Sequence, residues 1–327
     1  MSPILIPLLL AVILVAAAMG GRTLIRAAAP ILMRVPRTAV VLLSGSLLLW
    51  LLAAAALSLM LAWIVTGPSV LPAPFAEVCQ RCLDAASPFS PMNTVDTAVP
   101  SAMLVLLPTL AMVTVVGLGM ARWFRGHRAT RAISREVTDR ARPTNIDGHA
   151  VLLIPDTRMV AFSLPRRYGG IVVSAGLCAR LEPDELAAVI EHEHAHVRQR
   201  HHLVITILGA LSWPLSWVPL VSAVADTAPR YLEIAADNVA RNRSGTPALA
   251  GALLKLGNPD SAPVHEAPLL HAAGPDRIRQ LVAPAGLRSA VLPVSALGIQ
   301  LAALALVATA VHGPYLYVVL TGCQLPG

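Results

Sequence analysis

His192, Glu193 and His196 stand in the order H-E-x-x-H within the run His192-Glu193-His194-Ala195-His196. On an α-helix, residues i and i+4 lie one above the other, so the imidazoles of His192 and His196 can converge on one metal ion. Glu193, one step round the helix, can reach a water at that ion without ligating it. A catalytic zinc site takes three protein ligands and keeps one position for water, whose pKa falls from about 15.7 to about 7 there. The chemistry this spacing implies is peptide hydrolysis with one Zn2+ per chain, Glu193 taking a proton from water and passing it to the leaving amine. His194 sits roughly 200° from either ligand around the axis and cannot join the same site.

Two histidines need a third ligand. Downstream, Tyr231-Leu232-Glu233-Ile234-Ala235-Ala236-Asp237 carries two carboxylates at i and i+4, again on one helical face. Glu233 is the expected third ligand. Asp237 is the expected outer carboxylate, accepting the remaining N–H of a ligating imidazole and so fixing its tautomer. Upstream, Pro183 suits a first helical turn, Asp184 and Glu185 suit its dipole, and apolar residues follow at helical spacing to Ile190. A buried helix therefore has to deliver the histidines.

The chain of 327 residues is 56% hydrophobic and 13% charged, with a mean hydropathy of +0.67. Soluble domains carry about 25% charged residues, so this composition implies an integral membrane protein, mainly α. Four uncharged segments, 1–21, 38–66, 97–121 and 289 onward, are long enough to span a hydrocarbon core of about 30 Å. Arg22, Arg26, Arg34 and Arg37 follow the first segment, and Arg122, Arg125, Arg128, Arg131 and Arg135 follow the third. The positive-inside rule puts both flanks in the cytoplasm of a multi-pass inner-membrane protein, with loop 67–96 and both termini outside. The expected organisation is a membrane region over 1–121, a cytoplasmic domain over 122–288, and a last span with a short tail over 289–327. The net charge of +7 and pI near 9.9 arise from arginines beside the bilayer, so anionic lipid, not nucleic acid, is the expected partner.

The apolar stretch 203–225 lies between the histidines and Glu233. A single crossing there would leave Glu233 about 30 Å from the imidazoles, and two crossings need about 40 residues. Pro214 and Pro219 interrupt it, so a re-entrant or interfacial helical hairpin is expected. His201 and His202 are expected where the helix emerges at the headgroups. The runs 150–155, 158–164 and 170–174 are rich in β-branched residues and read as a small sheet, with 159–164 as an edge strand onto which an extended substrate could add. Cys79, Cys82 and Cys323 fall outside the membrane, where one disulfide among the three is expected with its pairing open.

The run from His192 to His202, the apolar stretch containing Trp213-Pro214, then Glu233 and Ala236-Asp237, resembles the BlaR/MecR-type membrane metallopeptidases. More distantly it resembles the HtpX and CAAX-protease group of gluzincins. The resemblance implies four transmembrane helices, a gluzincin-like α+β metalloprotease domain, zinc on His192, His196 and Glu233, and Glu193 as base. It further implies a regulatory role with a transcriptional repressor as substrate class. It does not extend to the penicillin-binding sensor domain of those receptors, so direct β-lactam sensing is not expected. The alternatives are HtpX-like quality control of membrane proteins and, in another class, a non-catalytic zinc-binding receptor. For the donor that stabilises the oxyanion, Tyr231, His271 and Arg277 are nominated. The last two are similar in placement to a histidine-then-arginine segment of the HtpX group. A homodimer is compatible with these spans, although no small-residue face specifies one.

Overall fold

The computed structural model describes residues 5–66, 101–257 and 291–321. Cys79, Cys82, Cys323, His271, Arg277 and the loop 67–96 lie outside them. Helices α1 (Leu5–Leu32) and α2 (Pro36–Thr66) form an antiparallel pair joined by a tight turn. Among the described residues, Pro7–Leu32 and Pro36–Ser58 are the two stretches long and apolar enough to cross a membrane. The first helix was expected to end at residue 21, yet it continues eleven residues further. Arg22 and Arg26, at i and i+4, share an exposed face while Gly21, Ile25, Ala28 and Leu32 turn inward, so the arginines do not break the helix.

The described parts of the third and fourth expected segments are also helical. Helix α3 (Ser101–Arg140) runs 40 residues without interruption, about 60 Å, well past the boundary expected at 121. The last helix, α9 (Val291–Thr321), packs against α1 and α2.

After α3 comes a four-stranded sheet, β1 (Arg142–Ile146), β2 (His149–Ile154), β3 (Ala161–Ser163) and β4 (Ile171–Ser174), in the order β1-β2-β4-β3. The polar, proline-containing β1 was not anticipated. Its signal lay in Asp147-Gly148, both at positive φ (49° and 78°), the two-residue turn of a tight hairpin. β2 and β4 pair in parallel and β3 pairs antiparallel with β4, so β3 is an edge strand, as expected, though shorter than the run that suggested it. The buried face of this sheet (Val151, Ala161, Ile171, Val173) packs with Leu177, Val189 and Ile190. Leu177 belongs to α4 (Ala175–Arg180), and the other two belong to α5 (Pro183–Arg198), the helix bearing His192 and His196.

The apolar stretch forms two helices joined by a turn. Helix α6 (His201–Ser212), a 3-10 turn over Trp213–Leu215, and α7 (Pro219–Ser244) follow in order, with Pro214 in the turn and Pro219 opening α7. The acidic segment is not a separate short helix, because α7 continues through Pro229 to carry Glu233 and Asp237. Its first half buries Leu220, Val221, Val224 and Ala228 against Ile25, Ala28, Leu32, Leu43 and Leu47 of α1 and α2. Gly21 makes that approach feasible, since a β-carbon there would meet Leu220 Cδ1 at 2.5 Å. Helix α8 (Thr246–Leu256) then covers α5 through Leu249 and Leu253.

Ser174, fully buried at the end of β4, fastens the edge strand to this framework. Its Oγ donates to Arg158 O at 2.6 Å and accepts from Val160 N at 3.0 Å and from Leu177 N at 3.1 Å, the last capping α4. Ser174→Ala should cost about 1–3 kcal/mol by leaving buried backbone groups without that partner, measured by denaturant unfolding of the detergent-solubilised protein. Unchanged stability would contradict this assignment.

Candidate metal centre

Helix α5 starts on a defined cap. Pro183 occupies its first turn, the Glu185 carboxylate accepts from the Glu182 backbone N–H at 2.9 Å, and Lys255 of α8 holds that carboxylate at 2.6 Å. The cap fixes the start of the helix, and the sheet fixes its rotation, so Glu191, His192, Glu193, Ala195 and His196 fall in its buried stretch. Opposite lies the second half of α7, where Glu233 and Asp237 are buried to 3% and 2% exposure.

The two helices bring two imidazoles and a carboxylate together. His192 Nε2 lies 3.1 Å from His196 Nε2 and 3.4 Å from one Glu233 oxygen, and His196 Nε2 lies 3.3 Å from the other. Bonds of about 2.0–2.1 Å at tetrahedral angles put ligand atoms about 3.3 Å apart, close to the spacing between the two imidazole nitrogens and from each of them to its nearer Glu233 oxygen. The separation also disposes of a single membrane crossing between α5 and Glu233. On the far side of the ring, His192 Nδ1 lies 3.0 Å from Asp237 Oδ1, so the free nitrogen faces the carboxylate expected to orient it.

The electrostatics ask for a cation. Glu193, Glu233 and Asp237 are each at most 3% exposed. Burial lowers the pKa of His192, but its contacts with Asp237 and Glu233 outweigh that and push it up to about 10. A divalent ion meets the same demand with the imidazole neutral and its Nε2 lone pair in use. The site's residues therefore fit a metal of the zinc type, which His192, His196 and Glu233 could hold.

Other histidines are placed differently from expectation. His201 is not at an exposed helix end; it is 2% exposed, with Nδ1 2.9 Å from His196 Nδ1 and Nε2 3.1 Å from Gln199 Oε1. Burial, then the neighbouring His192, holds its pKa down to about 4. His194 does stay out of the metal triangle. With Glu191, on the same face of α5, it meets His149 of β2 in a chain: His194 Nδ1 is 2.6 Å from His149 Nδ1, and His149 Nε2 is 3.1 Å from Glu191 Oε1. Those three could also hold a metal ion. Arg243 Nε, 3.1 Å from the same Glu191 oxygen, already balances its charge, and the hydrogen bonds account for the group as a tie between the sheet and α5.

Tyr231 does not serve the site as nominated. Two residues from Glu233, it points roughly 200° away around α7, into the apolar cluster formed with α1 and α2. Burial pushes its phenol up to about 12. Cys178, a free thiol in the described part, is half-buried on α4 and belongs to the sheet-side cluster.

Two substitutions separate ligand from orienting carboxylate. Glu233→Ala should abolish tight binding of Zn2+, whereas Asp237→Ala should weaken it about 10–100-fold, both read by competition with a chromophoric chelator. Wild-type affinity in either variant would contradict the role given to that residue.

No solved structure matches this chain. The segment 127–239, about a third of the sequence, holds all five residues of the centre, and it matches Peptidase family M48, which supports a metallopeptidase domain.

Proposed function

We propose that this protein is an integral membrane zinc-dependent endopeptidase that cuts polypeptides at the cytoplasmic membrane face. The observation that carries the reading is the convergence of two imidazole nitrogens and one carboxylate within 3.1–3.4 Å of one another, with Glu193 on the adjoining turn. When bound, the zinc ion supplies a Lewis acid that acidifies water and polarises a peptide carbonyl. His192, His196 and Glu233 would hold it, and Asp237 keeps His192 in the tautomer that ligation needs. Glu193 accepts the proton of the attacking water and delivers it to the departing amine.

Substrate binding is assigned to the edge strand β3. A cavity of about 630 Å3 runs beside it, lined by Phe162 and Ser163 of β3, Trp123, His127 and Ile133 of α3, and Leu203 of α6. An extended peptide added there gains main-chain hydrogen bonds with few demands on its sequence. The cleft's position between the long helix α3 and the start of the hairpin supports a substrate segment close to the bilayer.

The membrane arrangement proposed is four spans, with α3 and α9 crossing beside α1 and α2, and both termini outside. Outward-facing Leu8, Val12, Val41, Leu48, Leu106 and Val113 support it. Trp213 in the hairpin turn, with Arg122 and Arg125 guanidinium groups 6.0 and 5.5 Å from its ring, and Trp217 at 78% exposure support a hairpin lying at the headgroups. Regulatory cleavage of a repressor, as the BlaR/MecR resemblance implies, is the proposed physiological role.

Glu193→Gln should retain Zn2+ and lose about 10²–10⁴-fold in cleavage rate, followed on membrane fractions or a quenched peptide; chelation should remove the wild-type activity. Cleavage by this variant at the wild-type rate would overturn the mechanism.

A further inference from the structure

Arg200 is one of two non-glycine residues at positive φ among those described, at φ 54° and ψ 38°, and it separates α5 from α6. That left-handed conformation costs a non-glycine residue on the order of 1–2 kcal/mol and marks a position the surrounding structure dictates. Its effect is on His201. On an uninterrupted helix His201, five residues beyond His196, would lie about 140° round the axis from it. The turn at Arg200 instead folds His201 back beneath the ring of His196, edge to face with centroids 4.7 Å apart.

Hydrogen positions in this contact follow from the metal triangle. With Nε2 of His196 turned to the ion, its proton resides on Nδ1, and that N–H needs a buried acceptor. His201 Nδ1, 2.9 Å away, offers a lone pair provided its own proton is on Nε2, and Nε2 does face an acceptor, Gln199 Oε1 at 3.1 Å. The chain is directional throughout: His196 donates to His201, and His201 donates to Gln199. We propose that His201, set by the left-handed turn at Arg200, is a positioning residue that fixes the tautomer and ring plane of the metal ligand His196. It does for His196 what Asp237 does for His192, with a neutral acceptor in place of a carboxylate. Because His201 is the first residue of α6, the contact also ties the metal centre directly to the apolar hairpin.

The proposal rests on the reading of His192, His196 and Glu233 as the metal ligands. The test uses the full-length protein in detergent, Zn2+ as probe, and chelator competition as readout, with unfolding of each metal-free variant as a control. His201→Phe keeps a buried ring of similar size but accepts no hydrogen bond, and it should lose about 10–100-fold in Zn2+ affinity. His201→Asn keeps an acceptor, Oδ1, where Nδ1 faces His196, and it should recover part of that loss. A role in packing alone gives the reverse order, Phe near wild type and Asn worse, and that result would overturn the proposal. Arg200→Gly should keep wild-type affinity and Arg200→Val should lower it, because a β-branched residue resists positive φ; equal affinities in these two variants would equally count against it. If His196→Ala binds Zn2+ as tightly as the wild type, the ligand assignment itself fails and the proposal falls with it.

Discussion

Two imidazole nitrogens and the two oxygens of one carboxylate, from two helices, must be held at spacings of 3.1–3.4 Å, and about forty residues separate the two halves of that set. Everything else in the described structure serves this spacing. The sheet and its buried valines set the rotation of α5; the capping interactions of Glu182, Glu185 and Lys255 set its start. The apolar half of α7 is clamped between α1 and α2, so the acidic half projects at a fixed height opposite His192 and His196. A single helix thus carries both the packing against α1 and α2 and the carboxylate that faces the two imidazoles.

The same arrangement explains why the site is stable with so much buried charge. Three carboxylates and two ligating imidazoles lie almost out of solvent, a combination that is costly unless compensated. The Asp237 and Glu233 carboxylates favour a proton on His192, which offers partial compensation, and a divalent ion offers more. Metal binding and domain stability would therefore be linked: an ion would replace a proton, and of the two carboxylates that favour that proton, Glu233 would hold the ion and Asp237 would orient its ligand.

Much of the centre was legible because both of its halves obey helical periodicity. His192 and His196, and again Glu233 and Asp237, are i, i+4 pairs, and topology alone required the intervening apolar stretch to return to the same side. What could not be read depended on departures from periodicity. His201 reaches His196 only through the left-handed residue Arg200, and nothing in an arginine's identity announces positive φ. His149 reaches His194 and Glu191 only through the parallel pairing of β2 with β4. The strand β1 was hidden by its polar sequence, although Asp147-Gly148 marked its turn. Tyr231 was misjudged for the opposite reason: proximity in sequence to Glu233 outweighed the helical angle that turns it toward the apolar cluster.

The central claim is that one metal ion is held by two imidazoles and a carboxylate from these two helices. X-ray absorption on the zinc-loaded full-length protein tests it most directly. The expected result is a shell of nitrogen and oxygen donors at about 2.0–2.1 Å with outer scattering from two imidazole rings. A sulfur shell at about 2.3 Å, or scattering from one ring or from more than two, would contradict it.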